Sequence, residues 1–279
     1  MKRCMAASLL LMGCGDPISN QLFYEDALFV AALPGADRLA PPQVLLTSAV
    51  GDSELQQLAV EQSELLGDIL NPLAASTDTL RTTPPDVRSD VFREWEAVPV
   101  VLDSGARWWV RGDVGRPDDE DGAASWRLDW AADSDGPWTP LAAGQHTSPT
   151  TGTFVYYVDD DGTTREIGAR YGEEPTGESN LEVGVGFGPG NAELYWKVVG
   201  DSTLVWTGLL DVGLAAPRPS AAMVVQGLQG GRGEAFTIGE DPIVFANCWN
   251  VSGSVVFALA PDGSVDGSES ACVVEALFE

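Results

Sequence analysis

The amino-acid sequence predicts an α+β protein, mostly β, in which an N-terminal helix packs on a strongly curved antiparallel sheet of half-barrel or barrel-like form. Three observations predict this class. An apolar stripe at helical spacing follows residue 51, alternating apolar and polar residues dominate from about residue 90, and turn sequences separate the alternating runs. The 279 residues are enough for one large domain or two small ones.

The N-terminus has the order of a bacterial export signal. Lys2 and Arg3 are basic, and residues 5–12 form an apolar run that is too short to span a bilayer. Leu11-Met-Gly-Cys14 resembles a lipobox, the motif whose cysteine receives the lipid in bacterial lipoproteins. We therefore predict a signal peptide over residues 1–13 and lipidation at Cys14, where several acyl chains would give a stable membrane anchor.

The predicted location is the outer membrane, with the protein facing the periplasm. Gly15 occupies the second position after cleavage, which in such lipoproteins favours the outer membrane over the inner one.

The chain is strongly acidic. It has 15 Lys and Arg against 42 Asp and Glu and a net charge of −27. Such a surface repels phosphate groups, so we predict no nucleic-acid partner.

Two helices are expected before the sheet. Residues 26–33 form one apolar run that Pro34 should end, within a lipidated N-terminus and lead-in segment over residues 14–50. A longer helix is predicted over residues 53–70, with Asp52 or Ser53 as its N-cap. It should end or kink at Asn71-Pro72. We assign residues 51–279 to a single helix-plus-antiparallel-sheet domain.

The sheet is predicted from short alternating segments joined by Asp-Gly and Gly-Pro turns. About ten such strands in a meander should curl toward a barrel or half-barrel. The predicted strands cover residues 107–111, 126–130, 153–158, 166–171, 181–187, 194–198, 203–209, 221–225, 234–238, 243–248 and 254–259.

Two of the four cysteines remain for a disulfide. Cys4 leaves with the signal peptide and Cys14 carries the lipid, so Cys248 and Cys272 are the remaining pair in an oxidising compartment. Their spacing is not that of a redox-active Cys-x-x-Cys pair. We predict a structural disulfide between them.

The sequence nominates no catalytic, cofactor-binding or metal-ligating residue. The acidic turns before Gly122, Gly136 and Gly162 lack the first and twelfth ligands of an EF-hand loop, which leaves only weak, adventitious calcium binding. The glycines of residues 184–190 lack the dinucleotide-binding spacing and indicate close approach by a neighbouring element or a flat ligand. His146 is the only histidine, and its place near a turn is typical of a surface or hydrogen-bonding residue.

Nine tryptophans leave two interpretations open. They either fill the core of a large curled sheet or line a cavity for a lipid or other apolar ligand. They are Trp95, Trp108, Trp109, Trp126, Trp130, Trp138, Trp196, Trp206 and Trp249.

Several features together resemble uncharacterised lipoproteins of the myxobacterial type. They are the lipobox, the piece at residues 25–34, the long helix, the strand beginning Trp126-Arg-Leu-Asp-Trp130, and the C-terminal cysteines in Asn247-Cys-Trp249 and Ser270-Ala-Cys272. The resemblance implies the anchor, the curled sheet and the disulfide, and it transfers no catalytic residue.

The expected function is non-catalytic. We predict a binding or structural module of the cell envelope, attached to the membrane through Cys14, with an apolar ligand between helix and sheet. The alternative is a hydrolase of envelope polysaccharide that uses paired carboxylates, which a pocket with two carboxylates about 5–9 Å apart would favour.

Overall fold

The fold is seen in a computed structural model of the chain. It describes residues 25–40, 51–102, 104–116, 123–148, 151–160, 163–173, 179–187, 190–199, 203–210, 220–237 and 244–275. Cys14 and the predicted signal peptide lie outside these residues.

Helices precede the strands in the chain. Residues 25–30 are helical (α1), followed by α2 (Ala36–Leu39) and the long α3 (Glu54–Thr82), and a 3₁₀ turn, Glu269–Ala271, lies near the C-terminus. The strands are β1 Val87–Arg88, β2 Phe92–Val101, β3 Arg107–Gly115, β4 Ala124–Ala131, β5 Thr139–Ser148, β6 Thr151–Asp160, β7 Thr163–Glu173, β8 Ser179–Phe187, β9 Gly190–Val199, β10 Thr203–Leu210, β11 Ser220–Gly227, β12 Gly230–Thr237, β13 Val244–Asn250, β14 Val255–Leu259 and β15 Val265–Gly267.

The strands form one antiparallel meander. Within the described part of the chain, the sheet has 15 strands, and its order from edge to edge is the order of the chain. Each strand pairs antiparallel with its successor, as expected for short strands joined by tight turns. The mostly β, antiparallel class that the sequence predicts is therefore confirmed.

The helix α3 starts where the sequence predicts and ends later. The side chain of Ser53 caps it by accepting a hydrogen bond from the Gln56 amide. It does not end at Asn71-Pro72 but continues to Thr82. Leu73 and Leu80 beyond the proline are fully buried, and this burial offsets a local penalty of about 3 kcal/mol for an interior proline.

Two close contacts join α3 to widely separated strands. Near its N-terminus, Leu55 lies against Gly233 of β12, and near its C-terminus, Leu80 lies against Gly112 of β3. These strands are nine places apart in the sheet. The indole N–H of Trp95 on β2 also donates to the Thr83 carbonyl at 2.7 Å, which ties the end of the helix to the sheet.

Polar side chains fix the N-terminus of α3 on the C-terminal strands. Ser53 donates to the Asn247 amide oxygen at 2.8 Å. Gln56 and the indole of Trp249 both donate to the side-chain oxygen of Gln226, at 3.2 and 2.8 Å. Because these groups are buried, each hydrogen bond satisfies a polar atom that would otherwise destabilise the core.

The apolar face of α3 contributes to one large core. Leu66, Leu70 and Leu73 are buried on one side of the helix, whereas Glu64 and Asp68 are exposed on the other. This one-sided pattern is the amphipathic stripe that the sequence predicts. None of the described helices is both long enough and apolar enough to cross a membrane.

Part of the lead-in segment packs on the same core. The predicted helix before Pro34 is present as α1, and Phe29 and Leu33 are buried. The guanidinium of Arg93 on β2, itself buried, pairs with Asp26 at 2.6 Å and lies 4.1 Å from the centre of the Phe29 ring. Residues 25–40 thus contribute to the folded unit.

The predicted disulfide between Cys248 and Cys272 is present. The Cα atoms of the two residues are 5.7 Å apart, within the usual range. Cys248 packs with Ala246 and Phe257 in a second, smaller apolar cluster. The bond therefore fastens the C-terminal segment onto β13.

Candidate functional site

The candidate site lies on the core-facing side of strands β4–β7. Cross-strand pairing aligns Trp126, Gly144, Phe154 and Ala169 in one row. The register aligns Ala124, His146, Gly152 and Tyr171 in the next row, two residues along each strand. Because side chains alternate between the two faces of a strand, both rows point to the same side of the sheet.

Glycines make room for two of the aromatic rings. A Cβ at Gly144 would lie 2.5 Å from the Trp126 indole, and a Cβ at Gly152 would overlap the Tyr171 hydroxyl. Each ring therefore lies over the backbone of the neighbouring strand, where a glycine allows the close approach. Gly184 and Gly186 of the predicted glycine pattern lie on β8, whereas residues 188 and 189 are outside the described residues.

The aromatic rings form a continuous chain. The ring centres of Trp126 and Phe154 are 6.2 Å apart, and those of Phe154 and Tyr171 are 6.3 Å apart. Both separations are in the range of favourable tilted contacts between aromatic side chains. All three side chains are buried, so the chain forms an apolar floor across β4, β6 and β7.

Three polar atoms in these rows lack partners. In the described structure, the indole nitrogen of Trp126, Nδ1 of His146 and the hydroxyl of Tyr171 are buried and make no hydrogen bond. The exposed fractions of the residues are 2%, 5% and 2%. A buried donor without a partner destabilises a protein by about 1–3 kcal/mol, so these three groups mark this face of the sheet as the candidate site.

His146 is not the surface or hydrogen-bonding residue that the sequence suggests. The alternation of β5 places it on the core face with Ala142 and Gly144. Burial lowers its pKa from 6.5, and the nearby cations Arg116 and Arg38 lower it further. The imidazole is therefore neutral at pH 7, able to donate from one nitrogen and accept at the other.

Arginines also face the Tyr171 phenol. Burial raises its pKa to about 12, while Arg38 and Arg81 act in the opposite direction. The phenol is therefore protonated at neutral pH and has a hydrogen to donate. Positive charge near both unpartnered groups is notable in a chain with a net charge of −27.

A second cluster lies on the other face of β2–β4. Asp129 is buried and accepts hydrogen bonds from Arg111 at 2.9 Å and from Arg127 at 2.9 Å. Asp113 pairs across the strands with Glu94 on one side and Arg127 on the other. These five residues line a cavity of about 190 Å³ together with Trp95 and Gly112.

The carboxyl group of Asp113 has an altered acidity. Burial is the main cause that raises its pKa, and Glu94 and Asp129 add to this effect, whereas Arg127 and Arg111 oppose it. A carboxyl of raised pKa beside ionisable carboxylates is the pattern of a general acid. No sequence motif pointed to this cleft, because acidic residues occur throughout the chain.

The other residues discussed from sequence are spread over the fold. Trp95, Trp126 and Trp249 are buried, which agrees with core filling, and the rings of Trp108 and Trp130 are 5.8 Å apart. Among the described residues, no group of three or more His, Cys, Asp or Glu side chains is placed to hold a metal ion. The acidic turn at residues 118–122 lies largely outside the described residues.

Comparison with known proteins gives no relative: no protein-family model, curated protein or solved structure matches the chain.

Proposed function

We propose that the protein is a lipid-anchored lipoprotein of the outer membrane whose folded part is a non-catalytic module that holds an apolar ligand between α3 and the sheet. The observation that carries this proposal is the aromatic floor of Trp126, Phe154 and Tyr171, with its unpartnered polar atoms. If these side chains only filled the core, their buried polar atoms would be expected to have hydrogen-bond partners, since buried polar groups are normally satisfied.

The proposal includes a half-barrel curvature of the sheet around α3. The 25 residue-to-residue steps from Leu55 to Leu80 correspond to about 37 Å of helix, and nine strand spacings correspond to about 43 Å, so α3 runs across the sheet. Among the described residues, its most extensive strand contacts are with β2, β11 and β12. A sheet that bows away from α3 between these ends supports a concave space above the aromatic floor.

The ligand can be detected by native mass spectrometry. The full chain with Cys14→Ala, exported and purified without detergent, should carry an additional mass that organic solvent extracts. The Ala169→Phe variant fills the row beside Phe154 and should reduce that mass, whereas Gly168→Ala, where a Cβ meets nothing within 4 Å, should not. If the chain that carries only Cys14→Ala shows no additional mass, the result would favour a purely structural module.

The anchor has its own test. Export of the wild-type chain should place it in the outer-membrane fraction, released only by detergent, because several acyl chains on Cys14 hold it there. The Cys14→Ala variant should move to the soluble fraction. Retention of that variant in the membrane would show that the lipidation proposal is wrong, whatever the outcome for the ligand.

The second candidate function is hydrolysis of envelope polysaccharide. The cleft on β2–β4 favours it, because Asp113 has a raised pKa beside Asp129 and Glu94. Purified protein should then release reducing ends from isolated peptidoglycan, and Asp113→Asn should abolish the release. Absence of release by folded wild-type protein would exclude this candidate.

A further inference from the structure

We propose that Trp126, His146 and Tyr171 form the binding site for the carboxylate head group of a single-chain fatty acid, with the acyl chain on the aromatic floor. This inference rests on the proposed function, since it names the ligand class of the same site. It begins from the place of the three groups in the sheet register.

The three unpartnered groups converge on one patch. Gly144 pairs with Trp126 on β4 and lies two residues before His146 on β5. Gly152 pairs with His146, and the Tyr171 ring folds over Gly152. Diagonal neighbours on one face of a sheet have Cβ atoms within about 7–8 Å, so long side chains at these positions reach a common ligand.

The chemistry of the three groups selects an acceptor. The indole N–H requires a hydrogen-bond acceptor, the phenol O–H can donate to one, and His146 can donate through Nδ1 in one tautomer. A carboxylate is acceptor-only and offers about four lone-pair positions on two oxygens. An ammonium group offers none, and a neutral hydroxyl is the poorer match because it also brings a donor.

The surrounding charge favours an anion. Arg38 and Arg116 act on His146, and Arg38 and Arg81 act on Tyr171, so the arginines come from α2, from the end of β3 and from α3. Their positive potential lowers the free energy of a buried carboxylate, which burial alone would penalise. The arginines contribute through their charge and need not contact the ligand, since Arg81 also donates to the Leu33 carbonyl.

We place the acyl chain along the floor beside the patch. Phe154 and Ala169 follow Trp126 along the inner row, and both are buried among apolar neighbours. Each methylene placed there contributes about 0.8 kcal/mol on transfer from water. A head group at the patch with a long chain along the row is therefore favoured over a small acid.

The experiment compares palmitate with hexadecanol, which has the same chain length and no charge. Isothermal titration calorimetry on the full chain carrying Cys14→Ala should give palmitate an affinity at least about tenfold higher than that of hexadecanol. Acetate should not compete. The Tyr171→Phe variant removes one hydroxyl and keeps the ring, so it should weaken palmitate about tenfold and leave hexadecanol unchanged.

A matched control separates the head-group site from general burial of a phenol. Tyr156 on β6 is also a buried tyrosine with a pKa raised to about 12, but burial is the sole cause and no arginine acts on it. Tyr156→Phe should therefore leave the ratio of the two affinities unchanged. An equal loss of palmitate affinity in both variants would overturn the assignment to Tyr171.

The remaining outcomes distinguish this inference from the function on which it rests. Equal affinities for palmitate and hexadecanol would overturn the head-group site, with water as the partner of the three groups, and would still support the proposed apolar ligand. Competition by acetate would replace the fatty acid with a small carboxylic acid. Binding of neither long-chain compound would overturn both proposals.

Discussion

Leu55 of α3 and Gly233 of β12 are in such close contact that a β-carbon at Gly233 would lie 2.6 Å from the β-carbon of Leu55. At the other end of the helix, a β-carbon at Gly112 would lie 2.9 Å from a methyl group of Leu80. The two glycines therefore set how closely α3 approaches the sheet at both of its ends.

Substitution of Gly233 tests the close contact between α3 and β12. Gly233→Ala should lower the free energy of unfolding by about 1–3 kcal/mol, because the new methyl group overpacks the contact with the Leu55 side chain, whose Cβ cannot move without the helix backbone. Urea unfolding followed by tryptophan fluorescence measures the change. Gly168→Ala on β7 is the matched control, since nothing lies within 4 Å of its Cβ. Equal losses of unfolding free energy in both variants would show that the contact at Gly233 has no special role.

The disulfide should stabilise the fold by constraining the unfolded chain. Cys248 and Cys272 are 24 residues apart, for which the chain-entropy relation gives about 3 kcal/mol. The double variant Cys248→Ala and Cys272→Ala should lose about that amount in urea unfolding. Reduction of the wild-type protein should produce a similar loss, and unchanged midpoints after complete reduction would show that the bond does not support the fold.

The burial of His146 predicts a dependence of stability on pH. Its pKa in the folded protein lies below 6.5, so the unfolded chain takes up the proton first as the pH falls. The contribution to stability is complete above pH 6.5 and is lost as the pH falls through the lower, folded pKa. The His146→Leu variant should lack this component.

The measurement for His146 is a difference between two proteins. Many other carboxylates titrate in acid, so the free energy of unfolding of wild type must be compared with that of His146→Leu at about pH 8 and about pH 5. Wild type should lose more stability than the variant between these values. Parallel curves would mean that the imidazole is hydrated rather than buried.

The raised pKa of Asp113 predicts a pH dependence of stability opposite to that of His146. Its pKa in the folded protein is raised above 3.8, so its contribution is complete below that pH and is lost as the pH rises through the folded pKa. Asp113→Asn removes this loss and should raise the free energy of unfolding at pH 7 by up to about 1 kcal/mol. The exposed Asp133→Asn is the control and should be neutral. A destabilised Asp113→Asn variant would show that its attraction to Arg127 dominates.

Much of the architecture is readable in the sequence because its signals are local. A period of two marks each strand from β6 to β14 whatever lies beside it, and Ser53 caps α3 through a contact with a residue three positions away. The pairing of Cys248 with Cys272 follows from the same kind of reading, since the other two cysteines belong to a predicted signal peptide and a predicted lipid anchor. These elements need no knowledge of their neighbours.

Elements whose position depends on distant residues are not predicted correctly from local sequence patterns. In β2, a bulge between Trp95 and Val98 interrupts the alternation, and Pro99 is unusual for a strand. Pro99 is tolerated because β1 covers only residues 93 and 94, so the end of β2 lies at the sheet edge. The extension of α3 past Pro72 likewise depends on packing of Leu73 and Leu80.

The sequence by itself determined the mostly β class, the meander, the start of the long helix and the cysteine pair, because each depends on residue type and spacing along the chain. Only the tertiary structure decided the candidate site. The register of β4–β7 brings Trp126, His146 and Tyr171 onto one buried face, and α2 and α3 add positive charge to it. Such convergence arises from backbone pairing and helix docking, which act between residues that no local pattern connects.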